Sequence, residues 1–222
     1  MKPLKITAHL RSGFTSKFDW SVSIDGIIAY QFMLEKLGID KFIETQAITS
    51  EQEPITGLPL AAERYGDDWW YQCSRPFFKS FDSHIKNIHR RFNAQEAERY
   101  VGDKTKKVET TKGAYRNARL PKKIIVTPKI DWYVIGDKDE IRRLLSSVTH
   151  VGAQRRIGYG SVARWEVEDC QDAEFKARFM RALPVQFAEE NNVNGLTMDW
   201  HIRPPARHPD NTRLCVIPEN DY

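Results

Sequence analysis

A short segment rich in glycine and arginine is the part of this sequence best suited to chemistry. It runs V-G-A-Q-R-R-I-G-Y-G-S from Val151 to Ser161. Glycine lets the backbone approach a ligand closely, arginine donates forked hydrogen bonds to phosphate oxygens, and tyrosine can stack on a base. The segment predicts a loop that binds single-stranded nucleic acid, although a helix-to-strand connection with two solvated arginines fits equally well. The candidate contacts are Gly152, Gln154, Arg155, Arg156, Gly158, Tyr159 and Gly160.

A basic stretch earlier in the chain is the second candidate. Between Asp103 and Lys123, eight Lys or Arg residues stand against only Asp103 and Glu109. An insertion with an aromatic residue among cations can follow a phosphate backbone and stack a base. The alternative is a solvated surface loop. The candidate RNA contacts here are Lys104, Lys106, Lys107, Lys112, Tyr115, Arg116 and Arg119.

Two histidines lie within a third, smaller cluster, whose spacing would place several members on one face of a helix. Phosphate contact or a solvated face is one hypothesis; the other is metal-independent RNA cleavage with His84 or His89 as the general base. Binding is favoured, because nothing in the sequence holds either histidine beside a scissile phosphate. Arg11 and Ser12, at the end of the first predicted strand, fit an RNA-facing site or a simple turn equally well. The cluster consists of His84, Lys86, His89, Arg90 and Arg91.

The composition is that of a folded protein. The 222 residues are 41% hydrophobic and carry 34 basic and 30 acidic groups, so the placement of charge matters more than its sum. Cys73, Cys170 and Cys215 form no CxxC pattern, which favours reduced thiols and no zinc site. No apolar run approaches the roughly 20 residues of a membrane span, and Met1 to Lys5 lack a signal-peptide pattern. We expect a cytoplasmic protein without a metal, a cofactor or a membrane partner.

The elements that would position these residues follow a β-α-β-β-α-β order. This order predicts an α+β, ferredoxin-like (RRM-like) core over residues 1–168, with a basic arm at about 76–120 inserted between strands. A C-terminal extension, 169–222, would pack on that core with a short helix near 175–183 and a proline-broken hairpin or strap. The predicted core elements are strand 4–10, helix 25–37, strands 68–74, 124–126 and 130–135, a helix from the Asp137 capping box to about 150, and strand 162–167.

The glycine-rich loop in this setting resembles that of the RAMP superfamily of CRISPR proteins. Further segments narrow the resemblance, which covers roughly residues 4–168, to the "Cas-five" group of subunits in type IV CRISPR effector complexes. Those segments are Leu10-Arg11-Ser12, 22–30, Leu58-Pro59-Leu60, 70–74 and Lys112-Gly113-Ala114-Tyr115-Arg116.

The resemblance implies a non-catalytic subunit of a ribonucleoprotein complex that defends against viruses and plasmids. Such a subunit binds the 5′ handle of the CRISPR RNA, caps the backbone filament of RAMP subunits and contacts the large subunit. It leaves open whether the protein also touches target DNA near the PAM, and it implies no role for residues 169–222. The alternatives are a repeat-RNA endonuclease of the same superfamily, using His84 or His89, and a stand-alone RNA-binding protein.

Overall fold

A three-stranded antiparallel sheet forms the centre of the protein. The computed structural model describes residues 1–47, 53–93, 111–112, 116–206 and 208–219. Strand β1 (Lys2–Leu10) lies in the middle of the sheet, because it pairs with β7 (Lys129–Gly136) on one side and β8 (Val162–Asp169) on the other. Leu4, Ile6 and Ala8 alternate along β1 and are fully buried, which confirms the predicted first strand.

Residues 72–77 extend this sheet beyond β7 through separate bridges. Cys73 pairs with Val134, and Phe77 pairs with Asp131. A hairpin of β3 (Ala62–Tyr65) and β4 (Asp68–Tyr71) precedes this segment. The chain is therefore of the α+β class, built from small antiparallel sheets.

Two capped helices contribute buried residues to the larger of the two hydrophobic clusters, which we call the core cluster. Ser23 caps α1 (Ile24–Leu37), and the Asp137 carboxylate accepts two backbone N–H bonds of 3.1 Å at the start of α3 (Lys138–Leu145). The predicted cap of α3 is confirmed, but the helix ends at Leu145 rather than near residue 150. It ends early because the chain turns back there to pair with the start of β8. Of the described helices, none is long and apolar enough to cross a membrane.

Helix α2 (Ile39–Ala47) was not predicted. Gly38, with φ of 74°, ends α1, and the Gly38 carbonyl accepts the N–H of Phe42 at 3.0 Å in the first turn of α2. The predicted helix stop is therefore confirmed, but the chain restarts a helix at once. Phe42 packs edge-on against Tyr30 of α1, with ring centroids 4.9 Å apart, which joins the two helices.

The histidine cluster lies on a strand, so its predicted helical spacing is wrong. Strand β5 (Asp82–Arg90) pairs along its length with β6 (Ala118–Val126), and β6 also pairs with the short strand β2 (Phe14–Thr15). Continuous backbone pairing with β6 accounts for the extended conformation. The basic insertion therefore begins as a β-hairpin arm.

The C-terminal extension forms its own small sheet, in the order β10-β11-β9. After α4 (Ala173–Phe179), which begins and ends earlier than the predicted helix, the chain forms β9 (Leu183–Pro184) and α5 (Val185–Glu190). Strands β10 (Gly195–His201) and β11 (Thr212–Pro218) then pair antiparallel. Their apolar residues enclose Trp70 of β4, which is fully buried. We call this second cluster the extension cluster.

One buried arginine joins the core cluster to the extension cluster. Arg181 lies 3.7 Å from the carboxylate of Asp25, and both side chains are less than a tenth exposed. The same guanidinium donates to the carbonyl oxygens of Tyr71 and Ile202 and to Sγ of Cys73. One side chain therefore bridges α1, the end of β4 and the end of β10.

Replacing Arg181 with Met should destabilise the protein by about 3–5 kcal/mol, because Asp25 would be left as an uncompensated buried charge. The control is Arg164→Met, which breaks an exposed pair with Glu166 and should cost about 0–1 kcal/mol. Chemical denaturation of both variants measures the difference. Equal losses in the two variants would show that the buried pair does not join the clusters.

Candidate nucleic-acid interface

The glycine-rich loop is held against the end of β1 by hydrogen bonds. The hydroxyl of Ser12 donates to the carbonyl oxygen of Gly158 (2.9 Å) and accepts the N–H of Ser161 (3.0 Å). The N–H of Arg11 donates to Ser161 (2.8 Å), while Gly160 donates to the carbonyl oxygen of Gly13 (2.9 Å). Ser12 therefore fixes the loop, and the side chain of Arg11 is exposed beside it.

The glycines of the loop have different surroundings. Gly152, Gly158 and Gly160 all have positive φ, as does Gln154. A Cβ atom at Gly152 would lie 2.7 Å from the Thr15 carbonyl oxygen, and one at Gly160 would overlap the Val151 carbonyl. Only at Gly158 would it enter open space. We expected all of these glycines to admit a ligand, but at two of them the close approach is to the protein's own backbone.

The two loop arginines lie on a single 3-10 turn, Arg155–Ile157, and both are exposed. Within the part of the chain that the structure describes, neither forms an ion pair. The Arg155 guanidinium lies 5.3 Å from the ring centre of Tyr30 on α1, a cation–π contact. The loop therefore presents two positive charges that are free to pair with ions in solution or with an anionic ligand.

A groove of about 860 Å³ runs along these arginines. Its walls are α1, the segment 16–23 before it, and residues 147–156. The charged side chains among its described lining residues are Lys17, Arg155 and Arg156, and none of those residues is a carboxylate. A cleft with one sign of charge concentrates field lines and attracts a polyanion.

The hairpin arm contacts the loop through a lysine. Nζ of Lys86 on β5 lies 5.8 Å from the ring centre of Tyr159, which is half-buried. Lys86 is paired directly with Lys122 of β6. Like charges at opposed positions of an antiparallel pair are destabilising, so this part of the arm is suited to an anion.

The two candidate histidines lie on opposite faces of β5, because residues an odd number apart on a strand point to opposite sides. His84 is paired with Ile124 and lies 3.9 Å from the Asp82 carboxylate, whereas His89 is paired with Arg119. The remaining candidates are spread along the arm. Arg91, Lys112, Arg116 and Arg119 are exposed; the side chain of Arg90 and residues Lys104, Lys106, Lys107 and Tyr115 lie outside the described residues.

A comparison with known protein families assigns the chain to one of them. The family described as CRISPR type IV associated protein Csf3 matches residues 2–218. The chain belongs to the Csf3 family. The predicted resemblance to a type IV CRISPR protein is confirmed, and the match extends beyond residues 4–168 through most of the C-terminal extension.

No curated protein sequence matches this Csf3 chain. Among solved structures, a chain in the cryo-EM structure of the type III-B Cmr-beta bound to cognate target RNA is similar. It shares 13% sequence identity with a TM-score of 0.35, and the match covers 76% of the Csf3 chain. The Csf3 chain spans 61% of the length of that solved chain.

Sequence reasoning did not select three residues of this interface. Lys17 stands alone in sequence, Tyr30 falls on the exposed side of a helix, and Lys122 was counted in the basic stretch without being chosen. Each becomes a candidate only through a contact with a residue distant in sequence, as Tyr30 does through Arg155. The local signal that pointed to the arm was the excess of lysine and arginine between Asp103 and Lys123.

Replacing Gly160 with Ala should reduce stability more than replacing Gly158 with Ala. Both changes place a side chain at positive φ, which costs about 1–2 kcal/mol, but only Gly160→Ala also forces Cβ against the Val151 carbonyl. The free energy of unfolding from chemical denaturation measures the difference. A variant at Gly160 as stable as the one at Gly158 would contradict the assigned role of Gly160 in the fold.

Proposed function

We propose that this Csf3 protein is a non-catalytic subunit of a type IV CRISPR effector complex and binds the 5′ handle of the CRISPR RNA. The main support is the pair of exposed arginines in a groove where every charged lining residue that the structure describes is basic. Family membership supports the CRISPR setting. The proposed partners are the guide RNA, the backbone RAMP subunits and the large subunit.

The proposed architecture is a ferredoxin-like core. The sheet order β7-β1-β8, with residues 72–77 bridged to the far side of β7, suits that fold. The glycine-rich loop would then lead directly into the last core strand. In this arrangement the loop, the end of β1 and the start of α1 share one edge, where RNA would lie.

Phosphates supply the affinity in this proposal. Arg155 and Arg156 would each donate to phosphate oxygens, and Lys17 would add charge along the groove. Because Ser12 and the loop glycines already fix the backbone, little conformational freedom is lost when RNA binds. Sequence preference would come from unstacked bases read by shape and stacking.

The non-catalytic part of the proposal is supported by the arm. A general base must lie within hydrogen-bond reach of the proton it removes, and a mechanism that uses two histidines needs both on the same side of the substrate. His84 and His89 are directed to opposite faces of β5 and do not form one acid–base pair. His84 has Lys86 on its own face, a setting suited to phosphate contact.

Changing Arg155 and Arg156 together to Ala should weaken guide-RNA binding by roughly 2–4 kcal/mol, the loss of two charged hydrogen-bonding groups. The salt dependence should flatten by about 1.4 units of slope for two phosphates of a single strand. Fluorescence anisotropy with labelled guide RNA at several salt concentrations measures both quantities.

The matched control is the adjacent pair Arg142 and Arg143 on α3, also changed to Ala. These exposed arginines are already paired with Asp139, Glu140 and Glu35 and do not line the groove. Their loss removes the same net charge but should change RNA affinity little. Parental affinity in the Arg155/Arg156 variant, or an equal loss in both variants, would rule out the loop as the main RNA contact.

A His84→Ala, His89→Ala double variant should bind mature guide RNA with at most a modest loss of affinity, because the cations proposed to contact phosphate are all retained. Parent and variant alike should leave repeat RNA intact in the presence of a chelator. Gel analysis of labelled repeat RNA is the measurement. Cleavage by the parent that falls about 10²–10⁴-fold in the variant would establish the endonuclease instead.

A further inference from the structure

Four aromatic rings pack together beside the groove, where the C-terminal extension meets the segment before α1. Phe18 and Trp20 are parallel, with centroids 4.7 Å apart and 2° between their planes. Trp200 of β10 meets both rings near their edges, at 5.7 and 6.4 Å. The imidazole of His201 then lies on Trp200 at 4.8 Å with 28° between the planes. All four side chains are half-buried, so each keeps some accessible surface.

His201 is the member of this aromatic group that lines the groove. The groove is also lined by the two loop arginines and by Lys17. Nζ of Lys17 lies 5.0 Å from the ring centre of Phe18. The groove thus has cations along its length and a stacked flat ring at the extension. Single-stranded nucleic acids are bound by this combination, since cations follow the phosphates while rings stack on the bases.

The His201 ring is suited to stacking, and no hydrogen bond to another described residue holds it in place. Among the described residues it makes no hydrogen bond, so the ring nitrogens are available to a base edge. Burial lowers the pKa of His201 below its usual value; the Asp25 carboxylate opposes this shift and the Arg181 guanidinium adds to it. The imidazole is therefore neutral at pH 7, and stacking on it carries no further charge cost.

We infer that His201, supported by Trp200, forms a stacking subsite for one unpaired nucleobase of RNA in the groove. This inference rests on the proposed RNA binding by that groove and assigns the C-terminal extension a direct part in it. Lys17 would neutralise a phosphate near the stacked nucleotide, while Arg155 and Arg156 hold phosphates along the strand. The subsite accepts any base by its π-face, and the free ring nitrogens can add a preference among bases.

The test compares two short single-stranded probes of equal length and charge, one an oligoadenylate and the other an abasic ribose-phosphate strand. His201→Ala in the full chain should weaken oligoadenylate binding about five- to thirtyfold, within the range for one base stacked on a side chain. It should leave abasic binding unchanged, and His201→Phe should restore the loss. Fluorescence anisotropy gives the affinities, and thermal melting of each variant reports on folding.

His150→Ala is the matched control, since this histidine lines the same groove but bonds to Thr149 and has no ring contact among the described residues. His150→Ala should change the affinities for the oligoadenylate and the abasic strand by the same factor. An equal loss for both probes in His201→Ala, no loss for either, or a loss that His201→Phe fails to restore would overturn the subsite.

The Arg155/Arg156 variant shows whether a negative result counts against the stacking subsite or against the proposed function. That variant should weaken binding of both probes, because each carries the same phosphates. If it does so while His201→Ala binds like the parent, the stacking subsite fails and RNA binding by the groove stands. If the arginine variant binds both probes like the parent, the proposed function fails.

Discussion

The position of one buried charge, the guanidinium of Arg181, constrains much of this structure. A charged group away from water must find a counter-ion and hydrogen-bond acceptors, or folding loses several kcal/mol. Arg181 finds Asp25 at the start of α1, Sγ of Cys73 and the carbonyl oxygen of Ile202 after β10. Burial raises the pKa of the Cys73 thiol, so it stays neutral beside this pair. These contacts fix the register in which the extension docks.

That register also sets the walls of the groove. Helix α1 begins beside Arg181 and, about a turn and a half further on, presents Tyr30 to Arg155 on the glycine-rich loop. His201 directly precedes Ile202, whose carbonyl oxygen accepts from Arg181, and the His201 ring is thereby held where it lines the groove. The buried ion pair thus links α1, which contacts the arginine-bearing loop through Tyr30, to the extension that carries the aromatic surface. Stability and the proposed binding are therefore coupled through α1.

Local pattern was enough to predict the elements with a strong periodic signal. The alternation from Leu4 to Leu10 predicted β1, and the capping box at Asp137 predicted the start of α3. Strand β5 was not predicted, because its residues carry no buried alternation: Ile85 is 70% exposed. The loop was predicted as a candidate site from its residue types. Its geometry was not, since the contacts of Ser12 with Gly158 and Ser161 join residues nearly 150 positions apart.

The loop glycines show why residue types alone left two hypotheses open. The structure bears on one of them: Gly152 and Gly160 are needed because the loop packs on Thr15 and Val151, which is a role in the fold, while nucleic-acid binding by the loop stays a prediction. Yet that packing is what fixes the 3-10 turn carrying Arg155 and Arg156, whose side chains remain exposed. A rigid turn loses less entropy when it meets a ligand than a flexible one would. The structural use of the glycines and the proposed binding use of the arginines therefore depend on each other.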